Sequence, residues 1–491
     1  IRLIAQERYD DAYMVNWESN VFPGILGRTC DRPCEPACRR GRVEEEPVAI
    51  CRLKRVAADN KDSIIDRLPK IPKYKNGKKI ALIGGGPASL TVARDLAPLG
   101  YQMDLYDDQP AGGGFMRSQI PAFRLPEAVL DEEVDRILDM GVHCHFGQAI
   151  DSMKALMEQD FDAYFVGTGA PRGRDLELLG REQVDEYIHI GIDWLSSVAF
   201  GHISEIKGKV IVMGGGNTAM DCCRTSLRLG AESVKVVVRS AFEVMKASEW
   251  EKEDAMREGI PIINNRPPKE FVHENGKLKG VLFECVTPVR GDDGRLRYEP
   301  SGEPDEFIEC DHVLMAIGQD NHCPWIERDL GIEFDKWDCP QLDEATLQTT
   351  NPKVFFGGDS AFGPENIIWA SAHAHRAAIS IHLYCQGKDL KSERPPAGVN
   401  LLSTKMGVHE WAYDAAHDPA GRHLVPRGEP QSSLHNLQGE GELGFDAQRA
   451  AQPGCAVTAC LVAPIGLTAD IPRVIPRCCM GGPVPLHQQI S

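Results

Sequence analysis

Sixteen cysteines lie in the 491-residue chain, and four of them sit close together near its start: Cys30, Cys34 and Cys38, each separated by three residues, and Cys51 after twelve more. In a reducing compartment such a cluster points to metal binding and away from disulfides. The spacing departs from the paired CxxC of zinc sites. Thiolates can equally hold an iron–sulfur cluster that takes single electrons, so iron–sulfur, zinc and incidental cysteines all stand on spacing alone. Two glycine loops carry a second chemistry. In Gly84-Gly85-Gly86-Pro87-Ala88-Ser89 the pair Gly84 and Gly86 permits a tight turn and close approach of a pyrophosphate, with Ser89 at the place of a third glycine. Asp107, about twenty residues on, is placed to accept hydrogen bonds from ribose hydroxyls. In Gly214-Gly215-Gly216-Asn217-Thr218-Ala219 the third position is Ala219, and the following strand ends in Arg239-Ser240 with no acid. A carboxylate there would repel a 2′-phosphate whereas Arg239 can pair with one, which favours NADPH and leaves NADH open. A solvated surface charge is the plainer reading of Arg239.

The elements that position these residues follow from the apolar pattern. Ile80-Ala81-Leu82-Ile83 leads through glycines into a helical pattern at Leu90, Val92, Ala93 and Leu96, and Val210-Ile211-Val212-Met213 leads likewise into Met220, Leu227 and Leu229. Each is the strand, turn and helix of a Rossmann unit. Returning strands run into Gly167-Thr168-Gly169 and, after Val313–Ile317, into Gly318; a last unit, Val354-Phe355-Phe356-Gly357-Gly358-Asp359, precedes a helix through Ile367, Ala370, Ala374 and Ala377. The second unit is nested in the first. Two nucleotide sites in one chain imply a flavoprotein reduced by a pyridine nucleotide, with Gly358 and Asp359 on the flavin side.

The predicted architecture is therefore α/β: a small α-helical domain (1–72), two nested Rossmann-like domains, with a first flavin part at 77–200, a nucleotide domain at 201–318 and a second flavin part at 319–390, and a loop-like tail (391–491). Charge narrows the partners. With 54 Lys and Arg against 72 Asp and Glu the net charge is −18, which disfavours wrapping nucleic acid or lying on an anionic membrane. No apolar run approaches the ~20 residues of a spanning helix and no signal-peptide pattern is seen, so the expectation is a cytoplasmic protein. The chain begins with Ile1 rather than Met, which points to processing or to a missing upstream end.

The segments 27–55, IALIGGGPASL (80–90), GGGFMRSQIPAFRLP (112–126), VIVMGGGNTAMDCCRTSLRLGA (210–231) and FFGGDSAFGP (355–364) together resemble the small (beta) subunit family of NADPH-dependent glutamate synthase, whose relatives include the N-terminal half of dihydropyrimidine dehydrogenase. The resemblance covers roughly residues 1–390. It implies FAD at the first loop, with Gly114 and Arg124 among the cofactor-contacting residues, a nicotinamide nucleotide at the second, and 4Fe-4S clusters held by N-terminal cysteines. It also implies an electron-accepting partner: the glutamate synthase large subunit, ferredoxin, or a ferredoxin-linked 2-oxoacid oxidoreductase. Three departures stand out. A further cysteine group expected before Cys30 is absent, so the cluster domain is read as N-terminally truncated. Lys54 occupies the place of a family Glu or Gln ligand, and Cys51, one helical turn earlier, is the candidate replacement. Arg239-Ser240 stands where two adjacent arginines are common.

The tail segments 406–414 and 441–452 resemble a run leading to a ferredoxin-like module, after which only scattered Cys455, Cys460, Cys478 and Cys479 follow; a shifted reading frame is the expectation and no cluster is assigned there. Vicinal Cys222 and Cys223 are read as core, because neighbours on a helix diverge and no CxxC lies near them, which disfavours a disulfide reductase. A non-catalytic electron-transfer or scaffolding subunit is the alternative of a different class. No glutaminase or amidotransferase motif is present.

Overall fold

The structure is a computed structural model, and it describes residues 1–38, 46–291, 296–395, 422–430 and 435–450. The tail segment 406–414 and the four tail cysteines lie outside the described residues.

Of the N-terminal helices Tyr9–Asn20, Pro23–Thr29 and Ile50–Asp59, the first buries Tyr13 and Trp17 and the third Leu53 and Val56 in small cores, while Ile25 and Leu26 of the second join the core of the first Rossmann domain. Pro23–Thr29 lies unusually close to Ile50–Asp59, because a Cβ at Gly27 would sit 2.7 Å from the Arg55 Cα. Only glycine permits that approach. Glu133 reaches across from the helix Glu127–Leu138 and accepts from the Gly24 and Ile25 amides at 2.7 and 3.0 Å and from the Tyr13 hydroxyl at 2.8 Å. It thereby satisfies amides that a helix start leaves unpaired.

The first Rossmann domain is a five-stranded, all-parallel sheet in the order Val354–Phe356, Ala163–Val166, Lys79–Ile83, Gln102–Asp107, Val142–Phe146. Strand periodicity splits its side chains. Ile80, Leu82, Leu105, Phe165 and Phe355 face one cluster, with the helices Pro87–Leu96 and Ile367–Cys385, while Ala81, Ile83, Tyr164, Val166 and Phe356 face another. Both faces are covered, and so the strands read as nearly continuous apolar runs. The second domain is inserted between Ala163–Val166 and Val354–Phe356. Its parallel sheet runs Ile188–Ile190, His312–Met315, Lys209–Met213, Ser233–Val237, Ile262–Ile263. Val210 and Val212 pack towards the helix Asn217–Arg228, and Ile211 and Met213 towards the antiparallel sheet Pro268–Glu274, Lys277–Phe283, Glu306–Glu309. Each glycine loop thus opens at the carboxyl edge of its sheet, between strands that run to either side, which is where open α/β sheets bind ligands.

Residues 422–430 and 435–450, read as loop from the sequence, pack on the helical domain. Glu440 pairs with Arg28 (2.9 Å) and Arg55 (2.6 Å), Glu442 with Arg52, and Arg422 with Glu35 (2.8 Å). Among the described residues no helix is long and apolar enough to cross a membrane.

Candidate flavin, nucleotide and cluster sites

The first glycine loop is shaped by contact with the strand beside it. Gly84 has φ +91°, and a Cβ there would lie 2.7 Å from the Gly167 carbonyl oxygen, so no side chain fits. Gly86 is the N-cap of Pro87–Leu96 and supplies no side-chain cap. The first-turn amides therefore have no side-chain acceptor and face the loop as an anion site. Gly114 meets the same point from the other side, where its Cβ would lie 2.7 Å from the Gly86 Cα. Ala88 and Ser89 are buried behind the loop. The Ser89 and Thr168 hydroxyls are buried with no hydrogen-bond partner, beside Gly169. Such orphaned polar atoms fit a site built for a polar ligand.

Two carboxylates close this site. Asp107, at the end of its strand, accepts from the Gly85 amide and from the Gln109 amide at 2.8 Å, and burial pushes its pKa up to about 6. Asp359 follows Gly358, accepts from the Glu365 amide at 3.1 Å, and is raised by burial to about 6 as well. Neither carboxylate has a cation partner among the described residues, so each has capacity for hydroxyl donors. Behind them His373 is buried between Phe362 and Trp369, its Nδ1 without a partner; burial and then Arg376 push its pKa down to about 3. Its neighbour His375 is structural, joined to Asp95 at 2.5 Å and to the Ser19 carbonyl at 2.9 Å.

At the second loop Gly216 is likewise an uncapped N-cap, for Asn217–Arg228, and the space where its Cβ would be is open. Gly214 backs onto Ala316, close to Ala219, and Gly318 follows that same returning strand. Thr218 stands in the first turn. Arg239 is exposed at the end of Ser233–Val237 with no ion-pair partner among the described residues, and is available to an anion. Cys222 and Cys223 are fully buried, donate to separate carbonyls (Gly191 at 3.6 Å and Met220 at 3.2 Å), and have pKa values raised by burial. They do not form a dithiol centre.

Arg124 stands at the boundary between the two Rossmann domains. Its guanidinium is buried and paired with Asp221 (2.6 Å) and Glu251 (2.8 Å). Glu251 also pairs with Arg224 at 3.2 Å, and Arg224 and Arg228 share Glu258 while stacking on Phe123. This arginine therefore fastens the first domain to the helices of the second, a role with no local sequence signal because its partners lie about a hundred residues away.

The cysteine centre lies at the junction. Cys51 is fully buried, one turn before Lys54, its thiol donating to the Leu26 carbonyl at 3.3 Å; the neighbouring Cys30 lowers the Cys51 thiol and is itself raised, and Lys54, Arg52 and Arg32 lower Cys51 further. The Arg32 amide donates to Cys30 Sγ at 3.4 Å. Cys34 is buried and Cys38 half-buried. Among the described residues no three of these sulfurs converge closely enough for a single ion. In an iron–sulfur cluster each thiolate takes its own iron, so its ligand sulfurs need not converge on one point.

Asp31, which the sequence reading did not single out, ties the cysteine segment to both nucleotide domains. Its Oδ1 accepts from the Asn217 amide nitrogen (3.3 Å) and the Ser248 hydroxyl (3.1 Å), and its Oδ2 from Asn366 (3.1 Å), the N-cap of Ile367–Cys385. An acid inside a cysteine motif was the available signal.

The chain matches two family profiles: pyridine nucleotide-disulphide oxidoreductase over residues 78–374, and dihydropyrimidine dehydrogenase domain II, 4Fe-4S cluster, over residues 1–64. It is 35% identical over 483 residues to the NADPH-Fe(3+) oxidoreductase subunit beta of Geobacter sulfurreducens, covering 91% of this chain and 70% of that protein. It is 33% identical to the NADP(+)-dependent formate dehydrogenase subunit beta of Moorella thermoacetica (84% of this chain, 61% of that one) and 30% identical to the glutamate synthase [NADPH] small chain of Azospirillum brasilense (79% and 84%). Among solved structures, FprA of Mycobacterium tuberculosis in complex with NADPH aligns with TM-score 0.53 at 15% identity over 63% of this chain and 85% of that one, a likeness of fold. The chain belongs to the pyridine nucleotide-disulphide oxidoreductase family, as an NAD(P)H-dependent flavin oxidoreductase that binds FAD and carries a 4Fe-4S domain in front of its nested Rossmann pair.

Proposed function

We propose that this chain accepts reducing equivalents from NADPH at the Asn217 loop, with FAD at the Gly84 loop, and delivers single electrons through clusters at Cys30, Cys34, Cys38 and Cys51 to a separate protein subunit. When bound, the flavin accepts a hydride as two electrons and releases them singly, which is what joins a nicotinamide to an iron–sulfur centre. The chain's own residues orient and neutralise. The amides at the starts of Pro87–Leu96 and Asn217–Arg228 hold the phosphates. Asp107 accepts from ribose hydroxyls and Asp359 from a hydroxyl of the flavin's ribityl chain. Arg239 pairs with the 2′-phosphate, giving NADPH its advantage over NADH. His373, kept neutral, adds no charge to the flavin-side wall. No general base is needed, because hydride transfer depends on stacking and alignment.

The observation that carries the reading is Asp31, next to Cys30 and bonded to the first residue of the nucleotide helix and to the cap of the helix behind Asp359. A separate acceptor subunit is favoured by the names of the relatives, three of which are a small chain or a beta subunit. The test is anaerobic titration of the cluster-loaded protein with NADPH and, separately, NADH, following flavin bleaching and the electron paramagnetic resonance signal of reduced clusters. Bleaching by NADPH at far lower concentration, followed by cluster reduction, is expected. Bleaching with no cluster signal would sink the electron route, and no bleaching with flavin bound would favour a non-catalytic subunit.

A further inference from the structure

Away from these sites, the geometry points to a surface site for a divalent transition-metal ion at the edge of the flavin-domain sheet, built from Asp104, His143 and His145. The strand Val142–Phe146 pairs with Gln102–Asp107 in parallel, with Asp104 opposite His143 and Tyr106 opposite His145. Residues two apart on a strand share a face, so both imidazoles stand on the side of the sheet that carries Asp104. They converge on one atom: His143 Nδ1 and His145 Nε2 each lie 2.8 Å from Asp104 Oδ1, and the three ligand atoms fall within 4.8 Å of one another. His145 is held in place by stacking on Tyr106, ring centroids 4.4 Å apart and planes 8° from parallel. His143 is 73% exposed and touches His145 edge-on.

The donor set selects the ligand. Two imidazoles and a carboxylate suit Zn²⁺, Cu²⁺ or Ni²⁺, whereas Mg²⁺ and Ca²⁺ take oxygen ligands. With bonds of about 2.0–2.1 Å, tetrahedral ligand atoms lie roughly 3.4 Å apart. Admitting the ion therefore widens the two nitrogen–oxygen distances by about half an ångström, a change that rotation of the exposed His143 side chain provides. Water fills the open position. The ion would clip the edge strand to the strand that ends, three residues later, in Asp107.

The test is equilibrium dialysis of the FAD- and cluster-loaded protein against Zn²⁺, comparing wild type with H143A and H145A, with flavin and iron content as the check on folding. Each variant is expected to bind one equivalent of zinc fewer than wild type, with flavin and iron unchanged. X-ray absorption of the zinc lost in the variants should show nitrogen and oxygen neighbours. Cysteine-bound zinc would be common to all three proteins. Equal zinc in wild type and H143A, whose side chain is too exposed to threaten the fold, would overturn the site, as would sulfur neighbours around the missing equivalent.

Discussion

FAD binding should take up or release protons, because the two acids proposed to face the flavin are screened from water and have no cation partner among the described residues. Asp107 and Asp359 are each raised from 3.8 to about 6 by burial. Ribose and ribityl hydroxyls that donate to the carboxylates favour the charged form and lower both values in the complex. Binding then releases protons between about pH 4 and 6, and FAD affinity rises with pH across that window. At about pH 5.5 a group with pKa 6 is roughly one quarter ionised, so full ionisation on binding weakens FAD about fourfold per group, or roughly fifteenfold for both, relative to about pH 7.5. The assay is FAD affinity of the flavin-free protein by fluorescence quenching at the two pH values, in salt sufficient to keep a chain of pI about 5.3 soluble. D107N and D359N should each remove about half of the effect on a logarithmic scale. The flavin-free fold carries the same signature. These raised carboxyls contribute stability that is complete below their unfolded values and lost as pH rises through 4 to 6, up to about 3 kcal/mol each. Equal FAD affinity at both pH values, or a pH slope that survives in D107N/D359N, would refute the assignment of these two acids.

Three further outcomes follow from the same geometry. R239A should raise the KM for NADPH about ten- to a hundredfold, the value of one charge-assisted contact of ~1.5–3 kcal/mol, and leave NADH unchanged; steady-state kinetics with both nucleotides reads it. C51S in a cluster-loaded preparation should lower iron content and alter the reduced-cluster resonance, whereas C222S, at a buried core thiol, should do neither; unchanged iron in C51S would remove Cys51 from the ligand set. R124M leaves Asp221 buried without its partner, and Glu251 with Arg224 alone, and should cost about 3–5 kcal/mol in urea denaturation. Because Asp221 is already raised to about 6 by burial even beside Arg124, that loss should shrink below about pH 6, where the carboxyl takes a proton and the uncompensated charge disappears.

How much of this was legible follows from where the partners lie. The two glycine loops, with Asp107 and Arg239 at the ends of their strands, could be read because strand, turn and helix are adjacent in sequence and each leaves a periodic trace. Strand and helix limits shift by only a residue or two: Lys79–Ile83 adds Lys79 to the apolar run, and Asn217–Arg228 begins where the glycines end. Arg124 illustrates the opposite case. A single arginine after a glycine-rich turn carries no sign that Asp221 and Glu251 will meet it, and ion pairing over such separations has no period. Residues 422–450 look like loop because they have no apolar repeat, yet Glu440 and Glu442 are fixed by arginines about four hundred positions earlier. The binding here is electrostatic, so a hydrophobic pattern could not announce it.

Asp31 draws these strands of the argument together. Its carboxylate receives neutral donors from both nucleotide domains, and the next residue, Arg32, stacks on Trp250 with its guanidinium 3.9 Å from the ring centroid. Trp250 belongs to the helix Glu249–Arg257, whose Glu251 holds Arg124 of the flavin domain. The amide of Asn366 does double service: its oxygen accepts from the Trp369 amide at 3.2 Å to cap the long helix while its nitrogen donates to Asp31. A rotation of the nucleotide domain that opened the nicotinamide site would have to break the Asp31 contacts on one side or drag the cysteine loop with it. The cysteine segment and the two nucleotide domains are thereby joined at one carboxylate, through hydrogen bonds to a charged group worth about 1.5–3 kcal/mol each.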